Sequence, residues 1–160
     1  MTRGRPEPPP LVGFAIDVPV RFAECDSYGV VWHGHYALYI EQAREALTSR
    51  YGFTAAKALA MGYKVPITRM EIRYRLPILA DATVRVAARL RPPDVARLIM
   101  DYEIRSEAGQ LLASAETEQV ILNAENELLV SLPRDLDRIV RQIVLDQEKL
   151  PRAAKPTSRE

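Results

Sequence analysis

Residues 25–45, CDSYGVVWHGHYALYIEQARE, gather the side chains with chemical potential in this chain. Asp26 stands where an alternating segment ends. Gly29 follows in a turn, then the apolar trio Val30, Val31 and Trp32. His33 comes next, at the head of a strongly apolar helical pattern. This order predicts a carboxylate, an imidazole and several unpaired backbone N–H groups within one short stretch. Helix N-termini leave amide donors free and carry partial positive charge. Such donors suit an oxygen that gains negative charge in a transition state. A carboxylate beside them acts as general base or nucleophile. The combination points to acyl transfer, not to redox or phosphoryl chemistry, and no glycine-rich phosphate loop of either common type occurs.

Each of these residues also has a structural reading. Asp is favoured in turns and at helix caps, which would account for Asp26 without catalysis. His33 could be a histidine satisfied by backbone, and His35 an exposed or interface residue. The two stand at i,i+2, which do not share a helix face, so no metal site is expected. Cys25 reads as a small packed residue whose side chain points away from that of Asp26. Trp32 either lines a substrate channel or packs. Glu41 either contacts substrate or pairs with Arg44 at i,i+3. Tyr36 and Tyr39 read as core positions.

The elements that must hold these groups follow from periodicity. Residues 18–26, VPVRFAECD, alternate and predict a first strand, with Val18, Val20 and Phe22 on one face. Tyr36, Tyr39, Ile40, Ala43 and Leu47 recur at helical spacing, and Gly52 closes that helix. Thr54 opens a shorter helical stretch that ends at Gly62. Beyond Gly62 the period switches to two, predicting four strands within residues 64–78, 81–91, 95–107 and 110–123. Their joints, LPILAD, RPPD and EAGQ, read as hairpin-like connections. Leu136, Ile139, Val140 and Ile143 restore helical spacing near the C-terminus, with Pro133 ahead of them. The order predicts an α+β fold: one antiparallel sheet wrapped around a central apolar helix, with an extra C-terminal helix. Ala113 and Ala115 would let a helix approach that sheet closely.

Composition bounds the rest. The 160 residues suit one domain, and 48% hydrophobic with 27% charged residues suits a globular chain. A net charge of +1 gives no basic nucleic-acid surface. No apolar run is long enough to span a bilayer, and the N-terminus lacks the apolar region of a signal peptide. The single Cys25 rules out an intrachain disulfide. A cytoplasmic protein is expected, with a proline-rich loose arm over residues 1–13, one domain over 14–150 and a loose tail over 151–160. The arginines of the alternating segments, Arg69, Arg73, Arg75, Arg85, Arg89 and Arg97, read as a solvated sheet face.

The window at 25–45 also resembles a known family, the 4-hydroxybenzoyl-CoA thioesterase-like branch of the hotdog-fold acyl-CoA thioesterases. The residues that carry the resemblance are Cys25, Asp26, Gly29, Val30, Val31, His33 and Tyr36, followed by Glu41 and Arg44 in an E-x-A-R stretch. It extends over roughly residues 18–123. The resemblance implies hydrolysis of an acyl thioester to free acid and coenzyme A. Asp26 would activate water or attack the carbonyl, and backbone N–H groups around Val31 to His33 would polarise it. His33 would orient the reacting groups. Gly29, Val31, Trp32, Tyr36 and Glu41 would line the substrate site. No metal or cofactor is implied apart from the coenzyme A of the substrate, which an acyl-carrier protein could replace. A homodimer or homotetramer is implied, with a second chain completing each site. Some of the sheet-face arginines would meet coenzyme A phosphates. Phe22 stands where many relatives carry tyrosine, and His35 where Asn or Ser is common; both bear on acyl specificity. The alternatives are an acyl-thioester hydratase or dehydratase, or a non-catalytic acyl-CoA or acyl-carrier-protein binding module.

Overall fold

The computed structural model describes residues 8–150; residues 1–7 and 151–160, with most of the expected arm and all of the expected tail, lie outside it. Five strands, β1 (Phe14–Pro19), β2 (Ile67–Tyr74), β3 (Thr83–Leu90), β4 (Arg97–Ser106) and β5 (Leu111–Val120), form one antiparallel sheet in the order β1-β3-β4-β5-β2. Helix α1 (His35–Ser49) lies on one face, joined by the short α2 (Ala55–Ala60) and the C-terminal α3 (Arg134–Gln147). The α+β architecture, the central helix and the extra terminal helix all match expectation.

Pairing register explains the core. One row of side chains crosses the inner face as Ile16, Val86, Ile104, Ala113 and Tyr74, and a neighbouring row as Phe14, Ala88, Tyr102, Ala115 and Ile72. Against this face α1 buries Tyr36, Tyr39, Ile40, Ala43 and Leu47, the residues its 3.6-residue spacing selects. Ile40 and Leu47 each contribute about 1.5–3 kcal/mol of burial. α1 packs chiefly over β1 and β3.

Two expectations are corrected. The first strand is not residues 18–26: β1 covers Phe14–Pro19, and residues 22–24 form a 3-10 turn that leaves Phe22 exposed. Pro19, which lacks a backbone N–H, is the last residue of β1. It stands opposite Thr83, the first residue of β3, and beyond that pair the Val20 N–H still donates to the Ala82 carbonyl at 2.8 Å. The second correction concerns LPILAD, which is not a hairpin joint. It is a crossover from β2 at one sheet edge to β3 near the other, because β2 pairs only with β5. Alternation in sequence reveals strands but not their neighbours.

The described part of the expected loose arm is tied to the sheet. The Leu11 N–H donates to Glu103 Oε2 at 2.9 Å, Arg89 donates to the Val12 carbonyl at 2.8 Å, and Arg105 donates to the Pro8 carbonyl at 3.3 Å. The outer sheet face is an ion-pair lattice: Arg69 meets Glu116 at 2.7 Å, Arg73 meets Glu71 at 2.8 Å and Arg85 meets Asp17 at 3.4 Å. Arg97 meets Glu118 at 3.7 Å, and Arg89 pairs with Glu148. Exposed pairs of this kind contribute little stability but neutralise the face. Among the described residues, no helix is long and apolar enough to cross a membrane, and no group of three His, Cys, Asp or Glu side chains is placed to hold a metal ion.

Candidate active site

The Asp26 turn is built by hydrogen bonds that its own sequence makes possible. After the 3-10 turn, Cys25 bridges Val31, and between them the Asp26 N–H donates to the Val30 carbonyl at 2.9 Å and the Gly29 N–H to the Asp26 carbonyl at 3.0 Å. Gly29 closes the loop at φ 75°, a left-handed conformation that favours a residue without Cβ. The Tyr28 N–H donates to Asp26 Oδ1 at 2.8 Å, an Asx turn. The turn role and a chemical role are therefore compatible. One carboxylate oxygen fixes the loop, while Oδ2 has no hydrogen-bond partner among the described residues. Asp26 is half-buried.

The following residues are stitched to the β2–β3 crossover. Val30 bridges Leu79, and the Val31 N–H donates to the Ile78 carbonyl at 2.8 Å. The Trp32 N–H donates to the Glu24 carbonyl at 2.9 Å. Two of the three amides expected to polarise a carbonyl are thus already engaged. The N–H groups of His33 and Gly34, just ahead of α1, make no hydrogen bond among the described residues. The free donors lie one to two residues further along than the centre of the expected window.

Three side chains that the sequence does not mark as part of the site hold this arrangement, and of them Tyr39 is legible there as a core position. Glu24 Oε2 accepts from the Arg21 N–H at 2.9 Å and from the Tyr39 hydroxyl at 2.6 Å. Burial opposes its charge, but the Tyr39 and Arg21 donors outweigh that and hold the carboxyl below its ordinary value. Burial first, and then the Glu24 hydrogen bond, push the Tyr39 hydroxyl pKa upward, so Tyr39 stays a donor. Tyr74, at the end of β2, donates to the His33 carbonyl at 3.0 Å and meets the Tyr36 ring edge-on at 4.7 Å. Tyr74 is detectable in sequence only as an inward member of an alternating strand. Nothing local marks Glu24.

Of the expected site residues, Trp32 and His33 immediately precede α1, Tyr36 lies in its first turn, and Asp26, Gly29 and Val31 belong to the turn and bridge that lead into it. Trp32, 48% exposed, covers Gly34 and lies 4.8 Å from the His33 ring and 5.7 Å from the His35 ring. The His33 side chain is exposed, whereas His35 Nδ1 is buried with no hydrogen-bond partner among the described residues. Tyr36 and Val31 are core residues. Glu41 stands apart, six residues into α1, where it binds Arg44 with one contact at 3.0 Å; the intrahelical reading of that pair is the one realised. Asp26 lines neither the cavity beneath the C-terminal half of α1 nor the shallower one on the outer sheet face. Exposed apolar side chains are frequent in the neighbouring segments, among them Phe22, Tyr28, Trp32 and Leu79, while Glu24 and Asp81 share the vicinity of Cys25 with Asp26.

Comparison with known proteins places the chain in a family. The sequence model of a family described as the thioesterase-like superfamily matches residues 20–140. A 1,4-dihydroxy-2-naphthoyl-CoA hydrolase of Thermosynechococcus vestitus is 27% identical over 118 residues, 73% of this chain and 81% of that protein. A solved structure of a DHNA-CoA thioesterase from Staphylococcus aureus is 27% identical, covers 86% of this chain and 95% of its own, and superposes with a TM-score of 0.73. The structure of a hypothetical protein from Thermus thermophilus is 29% identical, covers 81% and 98%, and also gives 0.73. These similarities bear out the hotdog fold. They reach the superfamily and not the 4-hydroxybenzoyl-CoA branch in particular.

Proposed function

The chain belongs to the thioesterase-like superfamily, and from that premise we propose that it hydrolyses an acyl-CoA thioester at the Asp26 turn. The observation that supports this reading is that one short stretch carries both a carboxylate oxygen without a hydrogen-bond partner, Asp26 Oδ2, and, seven and eight residues on, the unengaged N–H groups of His33 and Gly34 just ahead of α1. The thioester carbonyl oxygen lies against those two amides, which stabilise the charge it gains. Asp26 removes a proton from water as the oxygen adds to the carbonyl carbon, or adds directly to form an anhydride that water then opens. Either path releases the free acid and the thiol. His33 and Trp32 border the acyl group, with Gly29 permitting close approach. Relatives named for 1,4-dihydroxy-2-naphthoyl-CoA support an aromatic acyl group in the test panel, alongside 4-hydroxybenzoyl and linear acyl chains.

Arg75 holds a phosphate of coenzyme A. It follows Tyr74, whose hydroxyl reaches His33, and among the described residues it lacks the carboxylate partner that Arg69, Arg73, Arg85, Arg89 and Arg97 each have. A second copy of the chain completes the site, a reading supported by the unpaired β2 edge and by the exposed apolar residues beside Asp26.

The test is thiol release from a panel of acyl-CoAs. Asp26→Asn and Asp26→Ala are expected to lose about 10²–10⁴-fold in kcat with the fold retained; parental turnover by either would remove Asp26 from the mechanism. Arg75→Ala is expected to raise KM several-fold with kcat kept. Product mass spectrometry separates free acid from a hydrated thioester, and tight binding with no turnover of any panel member would favour the binding-module alternative.

A further inference from the structure

Two peptide planes carry the free donors at the head of α1. The one between Trp32 and His33 bears the His33 N–H, and the one between His33 and Gly34 bears the Gly34 N–H. A trans peptide is planar, so its carbonyl and its N–H point in opposite directions. Whatever holds the carbonyl oxygen therefore also aims the N–H. The first plane is held by the start of the helix itself, since the Trp32 carbonyl accepts from the His35 N–H at 2.9 Å. The second is held from outside: the His33 carbonyl accepts from the Tyr74 hydroxyl at 3.0 Å.

Without that hydroxyl, the peptide between His33 and Gly34 would have no hydrogen bond on either side among the described residues. Gly34 has no Cβ to resist its rotation. Tyr74 is well placed to supply the restraint. It ends β2 in register with Ala113 of β5, and its ring meets that of Tyr36 edge-on, with centroids 4.7 Å apart. A tyrosine hydroxyl has one proton to donate, and here the His33 carbonyl takes it. A carbonyl that accepts a hydrogen bond also polarises the N–H of the same peptide, which makes that N–H a stronger donor.

We propose that Tyr74 is a positioning residue for thioester hydrolysis: by holding the His33 carbonyl, its hydroxyl aims the Gly34 N–H at the substrate carbonyl oxygen. This rests on the hydrolase reading given above. The charge that the amide stabilises develops only as the carbonyl is attacked, so the effect falls on kcat and not on KM. Tyr74→Phe keeps the ring and removes only the hydroxyl. In thiol release from the acyl-CoA that the parent hydrolyses best, it is expected to lower kcat about tenfold, less than the roughly 10²–10³-fold cost of deleting an oxyanion donor outright. KM is expected to stay within about twofold, and the thermal midpoint to fall by about 4 °C or less. Tyr51→Phe, which removes a hydroxyl bond to Asp146 of 3.2 Å beyond the other end of α1, is expected to keep the parental kcat. A second readout needs no substrate. In protein labelled with 15N-glycine, the Gly34 amide signal, identified by its loss in Gly34→Ala, is expected to move further in Tyr74→Phe than that of any other glycine. A Tyr74 that donated to the substrate directly would lower kcat and leave that signal in place. With Asp26→Asn inactive, a parental kcat in Tyr74→Phe, a loss confined to KM, or an unmoved Gly34 signal would each overturn the proposal alone. Parental turnover by Asp26→Asn, or no hydrolysis of any panel member by the parent, would overturn the hydrolase reading and the proposal with it.

Discussion

Trp32 is the chain's single tryptophan, and its position over Gly34 makes it a reporter of the candidate site. Gly34 has ordinary helical dihedrals, φ −66° and ψ −26°, so its role is space, not backbone freedom. A Cβ at this position would fall within the indole ring. Gly34→Ala is therefore expected to expel the ring, shifting tryptophan emission to the red while far-UV dichroism stays unchanged; an unaltered spectrum would place the indole elsewhere. Glu24 sets the second residue-scale expectation. Its carboxyl pKa in the folded chain lies below the ordinary 4.5, with burial opposing and Tyr39 and Arg21 lowering. The charged form thus stabilises the folded loop. That contribution is fully present above about pH 4.5 and is lost as pH falls through the folded value. Urea unfolding should show parent and Glu24→Gln furthest apart near neutrality and converging in acid. A gap of the same size at pH 3 and pH 7 would show that the Glu24 charge does not matter.

At the scale of elements, α3 does more than cover the sheet. Pairing between β1 and β3 ends at Phe14 and Ala88, which leaves the last residues of β3 with an open edge. Gln147, fully buried at the end of α3, fills it: its Oε1 accepts from the Leu90 N–H at 3.0 Å and its Nε2 donates to the Leu90 carbonyl at 2.5 Å. The carboxamide acts as one more unit of strand. Gln147→Leu keeps the volume and removes both bonds, leaving two buried backbone groups without partners. It is expected to cost about 1–3 kcal/mol in urea unfolding, and a smaller loss would mean that water reaches that edge. In sequence, Gln147 follows Ile143 by one helical turn and so occupies an apolar stripe. A polar residue in such a stripe hints at a buried partner but does not identify it. Leu90 lies 57 positions away.

For the whole molecule the open question is the second chain. Ile67, Tyr74 and Leu76 are exposed at or near the β2 edge, and the Asp26 turn opens onto apolar surface. Sedimentation is expected to give a species of at least twice the 18.0 kDa chain mass. Specific activity should fall on dilution as that species dissociates. Undiminished activity from a sedimenting monomer would show that one chain suffices.

The sequence by itself determined the helices and the strands after Gly62, and it pointed to the candidate site. The period of apolar residues reports which face each segment buries, so α1, its five core residues and the sheet strands after Gly62 were legible. Asp26, Gly29 and His33 were legible because turn and helix-start chemistry is local. Only the tertiary structure decided the rest. Strand order is a matter of pairing between distant segments, which made LPILAD a crossover. The end of β1 depended on where β3 stops offering partners. The free amides fell at His33 and Gly34 because Ile78 and Glu24 occupy those of Val31 and Trp32. Glu24, Tyr39, Tyr74 and Gln147 owe their roles to groups elsewhere along the chain. No local pattern encodes a hydrogen bond that exists only once the chain has closed on itself.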